Sequence, residues 1–314
     1  MPHQILGLHH VTATVGEAQA DLDFCLELLG LRLVKKTVNF DNHDVYHFYY
    51  GTERGAPGTI WTTFPYHGRG VHVGTKGAGQ VVATAFSVPA GTLDFWRHRL
   101  EARGVTARDA ETRFDEDVLR FDDPSGLWFE LVASRDDARV PWTGNGVGAT
   151  EAIRGLHSVT MVIRSLAPTL ELMTGVLGYA VVGDIGNRTR LAAGGSGAGH
   201  AIDIVVDAEA AMASNGLGTV HHVAMAIATA EEQLQLRADL VSRGLQVTEV
   251  RDRCYFQSIY FRVPGGVLFE VATIQPGFTV DEELASLGHG LKLPPWEEQH
   301  RPSIEANLAP VTYR

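Results

Sequence analysis

The sequence predicts an α+β fold built from four repeated βαβββ modules. Three observations carry this. A short phrase recurs along the chain as "GLHHVTATV" from Gly7, "GLHSVTMVI" from Gly155 and "TVHHVAMAI" from Thr219, with a weaker copy, "VVATAFSVP", from Val81. Each copy leads into a helical pattern that ends at a glycine. With His10, Ala83, Ser158 and His222 taken as equivalent, those glycines are Gly30, Gly104, Gly178 and Gly244, at offsets of 20, 21, 20 and 22 residues. After each glycine come short β-rich runs separated by turn residues. Self-similarity at a fixed spacing marks a chain assembled from one supersecondary unit.

The elements follow in order within a module. Each recurring phrase alternates small or polar with apolar residues, the period of a strand. Leu22, Cys25, Leu26 and Leu29 fall at i, i+3, i+4 and i+7, and Leu166, Leu170, Met173 and Leu177 keep a similar stripe, so a helix is expected next. The glycine just past the last apolar position is a helix stop, because it accepts a left-handed backbone without a Cβ penalty. Runs such as "VYHFYYG", "LWFELVA" and "SIYFRV", split by "DDPSG" and "VPGG", supply about three further strands. The second and fourth modules also agree at their ends, "PSGLWFELVA" and "PGGVLFEVAT".

Four βαβββ units in one chain resemble the vicinal oxygen chelate superfamily, which includes glyoxalase I, extradiol dioxygenases and bleomycin-resistance proteins. The resemblance runs from about residue 5 to about residue 275. It implies that modules pair into two cupped mixed sheets, with a metal in a cup. The Gly-rich stretch "WTGNGVGATEA" marks the boundary between an N-terminal half, residues 1–145, and a C-terminal half, residues 152–275. Residues 276–314 lie outside the repeat and are expected to form an ordered tail with a short helix or two, packed on the C-terminal half.

Successive strand residues point to opposite faces, so two adjacent histidines divide their work. In "VHHVAMAI", His221 shares a bulky face with Val223, Met225 and Ile227, while His222 shares a small one with Ala224 and Ala226. His10 likewise falls with Thr12 and Thr14. The small-residue face suits a cavity wall, which points to His10 and His222 as ligands. The third module reads His157-Ser158 and keeps only the first histidine, so His9, His157 and His221 read as partly buried polar residues or as groups that orient a site by hydrogen bonds. Glu130 and Glu270 each interrupt an apolar strand, and a buried carboxylate needs a compensating partner. The matching place in module one is read as Phe64, and in module three as Ile204 or a neighbour.

Counting ligands selects the pairing. Chain-order pairing leaves each cup with one histidine and one glutamate. Pairing module one with module four collects His10, His222 and Glu270 in one cup and leaves Glu130 alone in the other, as a hydrogen-bonded or Arg-paired relic. Two histidines and a carboxylate on one side of an octahedral metal mark non-haem Fe(II) sites, and Mn(II) also suits them. Zn(II) prefers tetrahedral coordination and softer ligands.

"GLHHVTAT", "GLRLVKKTVNFDN", "YHFYYG", "GTVHHVA", "DRCYFQSIYFR" and "PGGVLFEVAT" together resemble the ring-cleaving dioxygenase branch that opens hydroquinones with O2. The resemblance implies metal ligation by His10, His222 and Glu270. It implies substrate and supporting roles for His9, Thr12, His221, Arg253 and Tyr260. Cys254 departs from the larger polar residue expected after the arginine, which bears on pocket shape. Tyr260 alternates with apolar neighbours on the polar face it shares with Ser258 and Arg262; the plainer readings are a sheet-edge tyrosine and, for Arg253, a solvated charge. A glyoxalase-type isomerase, a catechol dioxygenase and a non-catalytic binding protein are the rival readings. The first needs a fourth protein ligand that is not found at Phe64.

Composition narrows the classes of partner. The net charge of −11 disfavours nucleic acid and anionic membranes. No apolar run approaches the ~18 residues of a membrane span. With two cysteines and no basic-then-apolar leader, the cytoplasm is the expected setting. A homo-oligomer is compatible with the sequence. "GGSGAGH" from Gly194 lacks the following Lys-Ser/Thr and helix of a phosphate loop and reads as a hairpin.

Overall fold

The computed structural model describes residues 2–110 and 112–313. Module one comprises β1 (Leu8–Val15), α1 (Ala18–Leu22), β2 (Arg32–Asn39), β3 (Asn42–Gly51) and β4 (Ile60–Pro65). Module two comprises β5 (Gln80–Pro89), α2 (Leu93–Ala102), β6 (Arg108–Asp109), β7 (Val118–Asp122) and β8 (Trp128–Ser134). Module three follows with β9 (Gly155–Ile163), α3 (Ala167–Gly175), β10 (Ala180–Ile185), β11 (Arg188–Ala192) and β12 (Ala201–Val206). Module four has β13 (Thr219–Ile227), α4 (Ala230–Ser242), β14 (Arg251–Asp252), β15 (Gln257–Arg262) and β16 (Leu268–Thr273). All four glycines that stop the helical segments have positive φ, between 68° and 85°.

Two eight-stranded mixed sheets result. One runs β14-β15-β16-β13-β1-β4-β3-β2, the other β10-β11-β12-β9-β5-β8-β7-β6. Module one therefore pairs with module four, through antiparallel β1 and β13, and module two with module three, through β5 and β9. Each sheet takes one module from each half of the chain. Helices and inter-sheet aromatics share one core, in which Trp61 of β4 meets Phe129 of β8 at 4.9 Å between ring centroids.

Two local features differ from the sequence reading. The first helix is interrupted: α1 passes into a π-helical turn over Asp23–Leu28, where the Leu29 N–H bonds the Phe24 carbonyl. The apolar stripe still points inward, since Leu22, Cys25, Leu26 and Leu29 are all buried. The tail contains one short helix, α5 (Arg301–Asn307), and several 3₁₀ turns. Its contacts run chiefly to module one: Asp281 and Glu282 pair with the fully buried Lys35, the Lys292 N–H bonds the Lys36 carbonyl, and the Tyr46 hydroxyl bonds the Ala309 carbonyl. Against the expected seat on the C-terminal half, the buried Lys35 ammonium draws the tail's carboxylates to the other side of the shared sheet. Among the described residues, no helix is long and apolar enough to cross a membrane.

Candidate metal centre

Strand register builds the site. β-bulges fall at His9 on β1 and at His221 on β13: Leu8 and His10 oppose Met225 and Ala224, and Thr12 and Ala13 oppose His222 and Val220. A bulge adds one residue to one strand and re-aims the side chains around it. Strict alternation therefore fails at these two positions. The ring of His9 lies beside that of His10, Nδ1 to Nδ1 at 2.8 Å, and His221 lies beside His222 in the same way at 2.7 Å. His221 reaches the cavity wall, whereas alternation placed it on the helix side. The bulge is what lets two neighbours serve one site.

His10, His222 and Glu270 converge. His222 Nε2 lies 2.8 Å and His10 Nε2 3.3 Å from Glu270 Oε2, and the two nitrogens are 3.4 Å apart. All three side chains are buried. Burial pushes the Glu270 carboxyl up, but the attraction of His10 and His222 outweighs it and holds the pKa well below the usual carboxylate range. Glu270 Oε1 accepts from the Ser258 hydroxyl, while among the described residues Oε2 has no hydrogen-bonding partner beyond the two imidazole nitrogens that face it. An orphaned carboxylate oxygen facing two imidazole nitrogens suits a cation, and the donor set fits divalent iron or manganese.

The histidine pairs fix tautomers. For His10 to present a lone pair at Nε2, its Nδ1 must carry the proton and donate to His9 Nδ1. His9 would then be protonated at its other nitrogen, consistent with its hydrogen bond to the Thr273 backbone. Both outer histidines are neutral: burial, followed by the neighbouring ligand histidine, lowers His9 and His221 to about 3.

A cavity of about 230 Å³ opens above the triad. Arg253 and Tyr260 line it, so neither is a surface residue. Arg253 Nε donates to the Tyr260 hydroxyl at 3.1 Å, and its Nη2 reaches Asp41 at 3.1 Å. Burial and Glu270 raise the Tyr260 pKa, so the phenol keeps its proton. Tyr260 sits laterally opposite Glu270 on β15, while Arg262 on the same strand turns to the Gly266 carbonyl. Thr12 is fully buried behind the cavity and accepts from Thr62. Cys254 adopts φ 63° and is not among the cavity-lining residues, packing instead beside Tyr255 and Phe256.

Several wall residues escaped the sequence reading: Asn39, Asp41, His47, Tyr49, Tyr66 and Phe256. Period-two alternation in "YHFYYG" could have found His47 and Tyr49, since Tyr46, Phe48 and Tyr50 enter the core cluster. The position in module one that matches Glu270 is Thr62, not Phe64: Thr12 pairs with Thr62 as Ala224 pairs with Glu270. Phe64, two residues on, lines the cavity. In module three the matching residue is Asp203, beside the expected Ile204.

Comparisons with known proteins agree with this geometry. The sequence profile described as Glyoxalase/Bleomycin resistance protein/Dioxygenase superfamily matches residues 7–131 and 155–271. The chain is 43% identical over 298 residues to the "Putative ring-cleaving dioxygenase MhqE" of Bacillus subtilis (strain 168), covering 95% of this chain and 96% of that one. It is 39% identical over 303 residues to the chlorohydroquinone/hydroquinone 1,2-dioxygenase of Sphingobium indicum, covering 94% and 93%. A crystal structure described as a putative dioxygenase from Bacillus subtilis superposes with a TM-score of 0.95 at 41% identity, covering 99% of each chain. With its four modules, its one-with-four pairing and this profile match, the chain belongs to the glyoxalase/bleomycin resistance protein/dioxygenase superfamily.

Proposed function

We propose that the protein is a metal-dependent dioxygenase that opens a hydroquinone-type aromatic ring with O2, with His10, His222 and Glu270 holding Fe(II). The observation that carries this reading is the convergence of three buried ligand atoms, all within 4.8 Å of one another, under a cavity lined by Arg253 and Tyr260. Mn(II) satisfies the same donor set. Divalent iron supplies the redox chemistry that activates dioxygen beside a bound ring.

The chain's own residues supply the rest. His9 and His221 hold the ligand imidazoles in the tautomer that leaves Nε2 bare. Tyr260 keeps its proton and can deliver it to a substrate oxygen. The Arg253 guanidinium, steadied by Asp41, stabilises negative charge developing in the cavity. Phe64 and Phe256 exclude water and face a ring. The cavity is smaller than the roughly 300–1,000 Å³ typical of drug-sized ligands, which favours a single ring.

A glyoxalase-type reading needs a fourth protein ligand. The residue matching Glu270 in module one is Thr62, whose hydroxyl is already shared between His47 and Thr12. Anaerobic loading with Fe(II), followed by oxygen uptake across hydroquinones and catechols, tests the proposal. Uptake with hydroquinone is expected. Turnover of catechol with none of hydroquinone would overturn it.

A further inference from the structure

We propose that His47 recognises the ring hydroxyl remote from the metal triad through a hydrogen bond at Nδ1, and so selects a para-dihydroxy ring. This rests on the functional reading above and names a residue that decides its substrate. His47 lies on β3 and lines the cavity. Its Nε2 is 3.0 Å from the Thr62 hydroxyl, which donates onward to the Thr12 hydroxyl at 2.8 Å. Thr62 therefore engages Nε2, which leaves Nδ1 as the free ring nitrogen: among the described residues no hydrogen-bond partner reaches it. Burial, and after it the charges of His10, Arg253 and His222, hold the His47 pKa well below its ordinary value, so the ring stays neutral with one donor and one acceptor.

The ring is also held in place. Tyr49 and Phe64 flank it at 4.0 and 4.3 Å between centroids. Nothing in the module architecture demands this arrangement. At the matching registers of the second sheet, Arg188, Asp203 and Thr160 stand for His47, Thr62 and Thr12, and they close into an ion-paired set with no free acceptor. A neutral ring nitrogen left without a partner calls for a polar group on the ligand. A phenol with one hydroxyl has that group at the triad and offers nothing to His47. β3 lies two strands from β1, roughly 10 Å between backbones. The second hydroxyl must therefore project away from the first, as in a hydroquinone, and not beside it, as in a catechol.

The test is anaerobic binding to the Fe(II)-loaded protein, measured as Kd for hydroquinone and for phenol. The natural protein should prefer hydroquinone by roughly tenfold or more, because phenol leaves a buried ring nitrogen unpaired. His47→Leu should bring the ratio near one by weakening hydroquinone alone, with iron content unchanged. Thr62→Val leaves the cavity wall intact but removes the group that anchors the His47 ring at Nε2, and it should narrow the ratio part of the way. This second variant keeps the test open if His47→Leu folds poorly. Equal affinity of the natural protein for the two rings, an unchanged ratio in Thr62→Val, or equal weakening of both rings would overturn the proposal. Preferential binding without oxygen uptake would instead sink the dioxygenase reading and leave this one standing.

Discussion

Glu270 and Glu130 occupy the same register in the two sheets, opposite Ala224 and Ala85 in parallel ladders. Around Glu270 stand His10, His222 and Ser258. Around Glu130 stands Arg113, whose guanidinium also lies 3.5 Å from Asp203. Asp203 is held in turn by Arg188 and Arg190, and Arg190 lies over Phe114 and bonds Glu116. The two histidine positions of the first cup are Ala83 and Ser158 in the second. Without neutral imidazoles to share a metal, the second cup neutralises its carboxylates with fixed guanidinium cations. The bulge survives the change: His157 still bonds its neighbour, now the Ser158 hydroxyl, at 3.0 Å. One backbone plan thus supports a candidate metal cup and a self-neutralised one, and a few side chains decide between them.

The sharpest test of that contrast is ligand removal. His222→Ala or Glu270→Ala should lose bound metal and all oxygen uptake, while His157→Ala and Glu130→Gln keep metal content near that of the natural protein by elemental analysis. Metal lost from His157→Ala but kept by His10→Ala would move the site to another cup. Next in size is Arg113→Ala, which strands the buried Glu130 carboxylate. Urea unfolding should show a loss of about 3–5 kcal/mol, with oxygen uptake per folded molecule retained. Replacing the pair together, Arg113→Met with Glu130→Leu, should restore stability or raise it, because Asp203 keeps Arg188 and Arg190. Third, His9→Ala or His221→Ala should weaken metal affinity or activity by roughly 10–100-fold, the range for groups that orient metal ligands.

The smallest effect concerns pH. Burial pushes the Glu116 carboxyl up, but His157 and Arg190 outweigh it and lower its pKa below the ordinary 4.5. A carboxyl with a depressed folded pKa contributes stability that is present above its unfolded value and is lost as pH falls through the folded one. Glu116→Gln should therefore flatten the loss of stability below about pH 4.5. An unchanged acid limb in denaturation curves would show that the second cup does not depend on this pair.

Much of this was legible in the sequence because the repeat carried it. Offsets of 20–22 residues locate the modules, and counting ligands selects their pairing. His10 and His222 stand out as the second histidine of a repeated pair on a small-residue face, and Glu270 as a carboxylate in an apolar strand. Periodicity could not reveal the bulges at His9 and His221, since a bulge is a mismatch between two strands and leaves no trace in either one alone. The assignment of Phe64 slipped by two residues because module one lacks the glutamate that anchors the register elsewhere. Asn39, Asp41 and Phe256 reach the cavity from turns and strand ends, where the curl of the sheet decides what faces inward. The tail's seat was hidden for another reason: Lys35 reads as an ordinary surface lysine until the strand that carries it is covered.

The one-with-four pairing also bears on the order in which the molecule can be made. His10 and Glu270 are 260 positions apart, so the first cup closes a loop of most of the chain. Modules two and three are neighbours in sequence, and their sheet closes over a far shorter one. Non-local pairing is slow to form, and the second cup should be assembled first; pulse-labelled hydrogen exchange would then find β5 and β9 protected before β1 and β13. The cup without a metal triad becomes the brace that returns the chain to its own beginning: the Gly199 carbonyl, in the loop before β12, receives the Leu8 N–H of β1. A chain cut short on the ribosome before module four would carry one of the three ligands, His10, and the metal would have no complete home until the protein was nearly whole.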